Sequence, residues 1–527
     1  MHIERTVGAA LRGRPCVELK RRDGKRKGGH GGPPLQDMQR RLFLLQVAAF
    51  ASRAVMGARI GSPAPYGPTP SARQLRWHEM EFYGFIHFTV NTFTDKEWGY
   101  GDESPALFNP TDFDANQIAS TAAAAGMKGL ILTCKHHDGF CLWPSKYTEH
   151  SVKNSPWRNG RSDVVKDIST SCRKHGLKFG VYLSPWDRNH KDYGRPEYLT
   201  YFRAQLRELL TSYGPVFEIF LDGANGGDGY YGGARETRRN DRDTYYDWPT
   251  TWSLVRKLQP DACLFSDAGP DVRWVGNERG IAGDPLWNTL NKDDFAPGRA
   301  DEARLNRGDR PGTHWVPAEC DVSIRPGWFY HASEDSKVKS PATLVDLYYA
   351  SVGRGGSFLL NLAPDRRGQI PEPDVNSLRE FRRRLDATFG EDRTQGARVT
   401  VSNTRGNGDR RFSPQNVIDR RRDTYWATED PITTPDLVLD LGRERTFNVV
   451  RLREYLPLGQ RVEAFALDFW RENKWHEFAR GTSIGNCKLV RSKPLTTSKV
   501  RLRITKTPAC PTISELTLFA EPETSHL

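Results

Sequence analysis

The sequence predicts a (β/α)8-like barrel followed by an all-β sandwich. Between residues 80 and 390, short apolar segments alternate with helical ones, which is the pattern of a parallel α/β structure. Roughly eight strands over this length fit a closed barrel better than an open, doubly wound sheet. No Gly-x-Gly-x-x-Gly motif of a dinucleotide site follows any of these strands. After residue 393 the pattern changes to short strands of alternating polarity, which predict the sandwich.

Each barrel strand is predicted from an apolar run bounded by turn residues. In chain order the runs are Tyr83–Phe88, Gly129–Lys135, Lys178–Pro185, Phe217–Asp222, Cys263–Ser266, Trp274–Glu278, Asp321–Ile324 and Phe358–Leu362. The Ala-rich segment Ala115–Met127 predicts the helix between the first two strands, whereas several later outer helices are expected to be short or absent. The sandwich strands are predicted at Tyr425–Ala427, Leu437–Gly442, Val449–Arg453, Ala466–Trp470 and Val500–Ile504. The predicted domains are thus residues 75–390 and 396–522.

The first 58 residues divide into two predicted segments. Residues 1–37 are polar and basic, so we expect a disordered extension or a gene-model artefact. Residues 38–58 have the features of a secretory signal peptide: a positively charged start, the apolar run Leu42–Ala51 and small residues after it. A buried amphipathic helix is the alternative interpretation of that run, which is too short to span a bilayer. We therefore expect a secreted protein of the extracellular space, which in a plant would be the apoplast.

Most of the positive charge lies ahead of the predicted domains. The formal net charge is +12, and residues 1–53 hold 12 Lys and Arg against 4 Asp and Glu. The remaining chain is only weakly basic, and its aromatic residues lie among Gly and Pro, so nucleic acid is not an expected partner. No other segment has the apolar length of a membrane span.

The cysteine pattern does not indicate a metal site. None of the eight cysteines forms the Cys-x2-Cys pair of a zinc site. Signal cleavage would remove Cys16 and leave an odd number, so at least one thiol would stay unpaired within the chain. Cys134, on an apolar strand, is expected to be a buried thiol, and Cys487 with Cys510 is the candidate disulfide.

Polar side chains lie at or near the end of each of the first four predicted strands. The fourth strand ends in Asp222, and a glycine-rich turn follows it. A turn-capping Asp is the alternative interpretation. The C-terminal ends of parallel strands meet at one rim of a barrel, so these groups should face a common site. They are His87, Lys135–Asp138 with His136 and His137, Tyr182 with Trp186 and Asp187, and Asp222.

A metal site and a sugar site compete as interpretations of this rim. His87, His136, His137 and Asp222 are all possible metal ligands. Adjacent histidines on an extended strand point to opposite faces, however, so His136 and His137 would not readily share an ion. His, Tyr, Trp and Asp around a concave mouth instead supply hydrogen bonds and an aromatic plane for a sugar. We expect neither a metal nor a cofactor.

Several motifs, in this order, resemble those of the α-L-fucosidases of glycoside hydrolase family 29. They are Phe85–Phe88, Lys135–Phe140 with Trp143–Ser145, Gly180–Tyr182, Phe220–Gly223, and Leu359–Asp365 with Gly368. The resemblance covers residues 75–390. It implies a retaining hydrolase of the two-domain plant type in which Asp222 is the nucleophile. It further implies that His87, His136, His137 and Tyr182 bind fucose, and that the sandwich is a discoidin-like, galactose-binding-type domain.

A retaining glycosidase needs a second carboxyl group about 5–5.5 Å from the nucleophile. Glu278, which lies between Asn and Arg among glycines, is our choice for this acid/base. Glu319 and Asp267 are the alternatives, and a surface Glu278 paired with Arg279 is the non-catalytic interpretation. The segments Trp274–Glu278 and Trp315–His331 resemble the family subgroup that acts on fucose linked α-1,3 or α-1,4 to N-acetylglucosamine.

Three further residues complete the predicted substrate site. Trp328 is expected to pack on the methyl-bearing face of the sugar, with an ordinary core position as the alternative. Arg325 is expected to bind a sugar hydroxyl or to pair with Asp321, and Glu319 is counted with the substrate-binding residues. The expected substrate is a fucosylated oligosaccharide or glycoprotein glycan carrying Lewis-type branches. A catalytically inactive sugar-binding protein on the same fold is the alternative, which the presence of both catalytic carboxyl groups disfavours.

Overall fold

The computed structural model describes residues 60–299 and 301–522. The predicted basic extension and signal segment lie outside the described residues. Within them, eight parallel strands close into a barrel in which each strand pairs with its neighbours in chain order and β8 closes on β1. The strands are β1 (Phe82–Ile86), β2 (Gly129–Lys135), β3 (Lys178–Leu183), β4 (Glu218–Phe220), β5 (Cys263–Ser266), β6 (Val272–Trp274), β7 (Ala318–Ser323) and β8 (Ser357–Leu362). The barrel prediction is confirmed.

The helices of the described region surround the barrel unevenly. They are α1 (Ala72–His78), α2 (Val90–Thr94), α3 (Ala115–Ala124), α4 (Val164–Lys174), α5 (Pro196–Ser212), α6 (Trp248–Leu258), α7 (Glu302–Arg307), α8 (Pro341–Ala350) and α9 (Glu372–Phe389). As expected, the outer ring is incomplete, because β5 runs directly into β6 and α7 has only six residues. A two-stranded hairpin, Gly226–Gly229 with Glu236–Arg239, stands beside the rim after β4.

Side chains on each barrel strand alternate between the interior and the outer layer, as the two-residue period of a strand requires. On β1, Tyr83 and Phe85 join the interior cluster, whereas Phe82 and Ile86 join the outer core. Phe220 and Phe265 stack inside the barrel with ring centroids 3.8 Å apart. The barrel is therefore a packed core that closes off the space beneath its upper rim.

Two strands begin two or three residues before their predicted starts. The sixth strand was expected at Trp274–Glu278 but spans Val272–Trp274, and the seventh was expected at Asp321–Ile324 but spans Ala318–Ser323. Gly276 has a φ of +79°, which ends β6 before Glu278. Glu278 is therefore a loop residue, and Asp321 lies in the middle of β7 rather than at its start.

The C-terminal domain is a seven-stranded antiparallel sheet structure. Leu437, Leu439 and Leu441 alternate with more exposed residues along one long strand and face the core. This periodicity confirms the predicted all-β domain. The strands are β9 (Arg398–Val401), β10 (Trp426–Ala427), β11 (Asp436–Glu454), β12 (Ala464–Arg471), β13 (Lys474–Gly481), β14 (Lys488–Lys506) and β15 (Thr512–Phe519).

A buried ion cluster joins the two domains. Arg453 of β11 donates from Nη1 to Glu81 Oε1 at 2.6 Å, and Arg422 donates to the same oxygen. Burial alone would raise the pKa of Glu81, but the two guanidinium groups hold it well below its usual range. Glu81 directly precedes β1, so the sandwich is tied to the start of the first barrel strand.

The described cysteines are all unpaired and buried. The predicted Cys487–Cys510 disulfide is therefore wrong. Cys487 packs in the core that includes the barrel's outer layer, whereas the thiol of Cys510 faces Asp430 of the sandwich at 3.6 Å. Among the described residues, no helix combines the length and the apolar character that a membrane crossing requires.

Candidate active site

Asp222 lies at the upper rim because it continues the inward-facing positions of β4. Phe220 faces the barrel interior, so the residue two positions later also projects inward, just above the packed core. The Tyr182 hydroxyl donates to Asp222 Oδ2 at 3.1 Å, and the Ala224 backbone N–H donates to Oδ1 at 2.7 Å. One oxygen thus caps the turn, as the alternative interpretation supposed, while the other faces the site beside Tyr182.

His87 is held at the rim by an amide that fixes its tautomer. Its Nδ1 lies 2.8 Å from Asn361 Oδ1, and because a carbonyl oxygen only accepts, Nδ1 carries the proton. The Asn361 amide nitrogen donates in turn to Ser323 Oγ at 2.9 Å and to the Trp328 carbonyl at 2.8 Å. His87 Nε2 is therefore left as a hydrogen-bond acceptor.

His136 and His137 lie side by side above the end of β2. Their ring centroids are 4.1 Å apart, so the expectation that they point to opposite faces is wrong. The physical reason is that β2 ends at Lys135, and the two histidines belong to the following turn. Among the described residues, no group of three or more His, Cys, Asp or Glu side chains is placed to hold a metal ion.

The two histidines offer different hydrogen-bonding atoms. The Ser184 hydroxyl donates to the Trp186 carbonyl at 2.6 Å, so it accepts from His137 Nδ1 at 2.7 Å. This leaves Nε2 of His137 as an acceptor. Nδ1 of His136 is buried and has no partner within the described part of the chain. An unpaired buried nitrogen of this kind is suited to a ligand hydroxyl.

Burial keeps all three histidines neutral. It lowers the pKa of His87 to about 3 and that of His136 well below its ordinary value. The pKa of His137 is also lowered by burial, although the charge of Asp222 opposes the shift. A neutral imidazole has one donor and one acceptor, which matches the hydrogen-bonding pattern of a sugar hydroxyl.

Glu278 lies at the mouth of the site, on the loop after β6. Its Oε2 accepts from the Trp328 indole N–H at 3.2 Å, and within the described residues no ion pair joins it to Arg279. Burial raises the pKa of Glu278. The Trp328 bond opposes this shift, and the negative charges of Asp222 and Glu97 add to it. Glu278 is therefore biased toward the protonated form that a general acid needs.

Trp328 forms a half-buried wall of the site, not an ordinary core position. Its ring lies 5.2 Å from the ring of His87. Its backbone N–H donates to Glu97 Oε2 at 2.8 Å, and His331 Nε2 lies 2.7 Å from Glu97 Oε1. Glu97 thus fixes the loop that carries Trp328.

The sequence analysis missed a second aromatic wall. The side chain of Trp98 is 54% exposed, although tryptophan is usually well buried. Its ring meets His137 edge-on with centroids 5.3 Å apart and Trp186 with centroids 5.6 Å apart. The signal that could have found it is the run Glu97-Trp98-Gly99, an aromatic residue between a charge and a glycine in a loop after β1.

Asp267 reaches the rim next to Asp222. It continues the inward-facing positions of β5, and its carboxyl group lies directly over the α-carbon of Gly223, where any β-carbon would overlap it. The Gly298 backbone N–H donates to its Oδ2 at 2.8 Å. Burial, together with the charge of Asp222, raises the pKa of Asp267 to about 6. Only glycine at position 223 leaves room for the Asp267 carboxyl group in this place.

Asp321 lies one layer lower, in the middle of β7. Its Oδ1 accepts from the Trp274 indole N–H at 3.0 Å. Burial raises the pKa of Asp321 well above its usual value, and the charges of Glu278 and Asp222 add to the shift. The site therefore has a carboxyl group biased toward its protonated form beneath its two predicted catalytic carboxyl groups.

The structure does not bring Glu319 to the rim. It lies near the start of β7, where it is fully buried and accepts from the Tyr83 hydroxyl. Burial and the neighbouring Glu218 raise its pKa. Ser323 at the top of the strand is four residues away, about 13 Å. The expectation of a substrate contact or an acid/base role for Glu319 is corrected on this ground.

Arg325 is engaged by two carboxylates. Its guanidinium binds Asp374 through two hydrogen bonds, at 3.0 and 2.7 Å, and pairs with Asp335 at 2.9 Å. Arg325 is fully buried, and its partners are Asp374 and Asp335 instead of the expected Asp321. These contacts are those of an ion pair that fixes the loop after β7. Contact between Arg325 and a sugar hydroxyl stays a prediction.

Comparison with known proteins shows the family of this chain. Residues 68–388 match the family described as alpha-L-fucosidase, and residues 398–516 match the F5/8 type C domain. Alpha-L-fucosidase 1 of Arabidopsis thaliana is 43% identical over 464 residues, which cover 87% of this chain and 89% of the relative. Putative alpha-L-fucosidase 1 of Oryza sativa subsp. japonica is 41% identical over 461 residues, which cover 87% and 86%.

Solved structures give the same result. A glycoside hydrolase 29 family member from an unknown rumen bacterium has a TM-score of 0.78 and 43% identity, covering 88% of this chain and 78% of that one. A Ruminococcus gnavus GH29 fucosidase, solved in complex with fucose, has a TM-score of 0.79 and 32% identity, covering 89% and 98%. The barrel, the rim and these matches together show that this chain belongs to the α-L-fucosidases of glycoside hydrolase family 29.

Proposed function

We propose that this α-L-fucosidase removes terminal α-L-fucose with retention of configuration, using Asp222 as nucleophile and Glu278 as acid/base. The observation that carries the proposal is the contrast between the two carboxyl groups. Asp222 receives hydrogen bonds from Tyr182 and Ala224, which stabilise its negative charge, whereas burial and neighbouring charges raise the pKa of Glu278. An ionised nucleophile beside a protonated acid is what the double displacement requires.

In the first step, an Asp222 oxygen attacks the anomeric carbon of fucose. The bond between that carbon and the leaving oxygen breaks, and Glu278 transfers its proton to the leaving oxygen. The products are a fucosyl ester on Asp222 and the free remainder of the glycan. Esterification removes the charge of Asp222, so the negative charge near the site then lies on Glu278.

In the second step, the Glu278 carboxylate takes a proton from water. The water oxygen attacks the anomeric carbon, the ester bond to Asp222 breaks, and Glu278 ends protonated as it began. Two inversions give net retention. The sugar hydroxyls would donate to the free Nε2 atoms of His87 and His137 throughout, and the unpaired Nδ1 of His136 would hold a further hydroxyl.

The shape of the barrel supports removal of a terminal sugar. Phe85, Phe220 and Phe265 fill the interior below the rim, so a chain of sugars has no path through the site. Trp98 and Trp328 stand on the rim and offer aromatic faces to a sugar entering from above. A single residue at the end of a glycan fits such a closed pocket.

We also propose a linkage preference and a location. The resemblance of Trp274–Glu278 and Trp315–His331 to one family subgroup supports action on fucose linked α-1,3 or α-1,4 to N-acetylglucosamine, as in Lewis-type branches. The signal-like residues 38–58 support secretion to the extracellular space. Both proposals rest on sequence motifs.

The roles of the two carboxyl groups are tested by azide rescue of Asp222→Gly and Glu278→Gly on an aryl α-L-fucoside with a good leaving group. Asp222→Gly should lower kcat/KM by about 10⁴–10⁶-fold, as removal of a nucleophile does. Azide should then attack from the vacated face and give the β-fucosyl azide. In Glu278→Gly, azide should attack the Asp222 ester and give the α-fucosyl azide. The anomeric proton signals of the two products distinguish them.

The matched control is Asp293→Asn, because the Asp293 side chain is 85% exposed and should not affect activity. Formation of the α-azide by Asp222→Gly would overturn the nucleophile assignment. A Glu278→Gly enzyme with wild-type activity on a natural glycan would overturn the acid/base assignment.

Gly223→Ala should misplace Asp222, because the added β-carbon overlaps the Asp267 carboxyl group. A misplacement of about 1 Å near the reacting atoms lowers kcat/KM about 100-fold. In the double variant Gly223→Ala/Asp267→Ala the overlapping atoms are gone, so much of the activity lost in Gly223→Ala should return. Gly61→Ala is the control, since nothing lies within 4 Å of its added carbon. If the losses of kcat/KM caused by Gly223→Ala and by Asp267→Ala simply add in the double variant, this account of the pair is contradicted.

Linkage preference is measured by fucose release from a Lewis-type trisaccharide and from an α-1,2-fucosylated lactose. Specific contacts to the N-acetylglucosamine side should favour the Lewis-type substrate by about 10–200-fold in kcat/KM. Equal rates would reject the linkage proposal alone. No release of fucose from any of these substrates would reject the enzymatic role as well.

A further inference from the structure

The lower end of the barrel carries a second cavity, opposite the fucosidase site. It has a volume of about 380 Å³ and opens between α1 and the N-terminal ends of β3 and β4. Its floor is apolar, formed mainly by Trp77, Phe179, Val216 and Phe217. Barrel active sites lie at the other end, where the C-terminal ends of the strands meet. The fucosidase chemistry therefore does not use this cavity.

The rim of the lower cavity is positively charged. Arg73, Arg76, Arg173 and Lys178 line it, against the single carboxylate of Asp261. Asp261 is already paired with Arg76 at 2.7 Å, and Arg73 faces Asp271 at 3.5 Å. One side of the rim is thus largely neutralised by its own ion pairs.

Arg173 and Lys178 lack counter-ions on the other side. Arg173 donates to the Tyr213 carbonyl and the Thr170 hydroxyl, both at 3.1 Å, which are neutral oxygens. Lys178 is exposed, and its ammonium group has no hydrogen-bond or ion-pair partner among residues 60–299 and 301–522. The carboxyl group of Glu218, beneath Trp77, does not balance them, because burial raises its pKa. Two uncompensated cations thus border the apolar lining of the cavity.

We propose that this lower cavity binds a small amphiphilic anion, with its apolar body on Phe179 and Phe217 and its acidic group at Arg173 and Lys178. An arginine guanidinium and a lysine ammonium together form charge-assisted hydrogen bonds with a carboxylate, sulfonate or phosphate group. The volume lies at the lower end of the range for small-molecule sites, which are mostly apolar with few polar anchors. The proposal is independent of the fucosidase mechanism.

The test is calorimetric titration of the purified full chain with 1-naphthoate, decanoate and 1-naphthylmethylamine. Both anions combine an apolar body with a carboxylate. Tighter binding of 1-naphthoate would show that a flat body fits the floor better, and tighter binding of decanoate would favour a flexible one. The amine has the same flat body with the opposite charge and should not bind. Anion affinity should fall as ionic strength rises, because the two cations are partly exposed.

The charge-reversal variant Arg173→Glu/Lys178→Glu should bind the preferred anion about tenfold more weakly or worse, as loss of two charge-assisted contacts implies. Lys166→Glu is the matched control, because Lys166 is exposed near the other end of α4 and does not line the cavity. Fucose release should be unchanged in both variants, which also verifies that they fold. The proposal is overturned if neither anion binds the wild type. It is also overturned if the amine binds as well as the naphthoate, or if the double variant binds like the control.

Discussion

The alternation of side chains along the closed barrel strands is the constraint on which the rest of the site depends. Every second residue must face the interior, so each strand presents a lower, a middle and an upper group. On β4 these positions are Glu218, Phe220 and Asp222, and only the last lies above the packed rings. The same register places Asp267 beside Asp222 and leaves Glu319 at the lower end. The chemistry of each carboxyl group follows from its layer.

Exclusion of water then sets the charge of each group. Burial is the largest cause of the raised pKa values of Glu278, Asp267 and Asp321, and of the lowered values of the rim histidines. Two donors, the Tyr182 hydroxyl and the Ala224 N–H, face the two oxygens of Asp222. A carboxyl group held by two donors, near carboxyl groups biased toward protonation, suits a reaction that develops positive charge on the sugar ring.

The sequence predicted the fold and most of the rim because those signals are local. Apolar runs mark the strands, and His87, His136, Tyr182 and Asp222 each follow one closely. Glu319 was misplaced because the run from 318 to 323 offers three alternate inward positions, and nothing local shows where the strand begins. Counting every second residue from Cys263 would have placed Asp267 among the inward-facing residues.

Other features could not have been read from the sequence. The partner of Arg325, Asp374, lies 49 residues further along the chain and no motif links them. Cys487 and Cys510 flank opposite ends of the single strand β14, which is much longer than the predicted Val500–Ile504. The place of Trp98 in the site is evident only from its contacts with His137 and Trp186. Contacts between distant segments, unlike periodicity, leave no local trace. The central claim, retention through a covalent fucosyl ester, is tested most directly by proton NMR of the first fucose released from an α-linked substrate, recorded before mutarotation. This account predicts that the α-anomer appears first, and initial release of the β-anomer would contradict it.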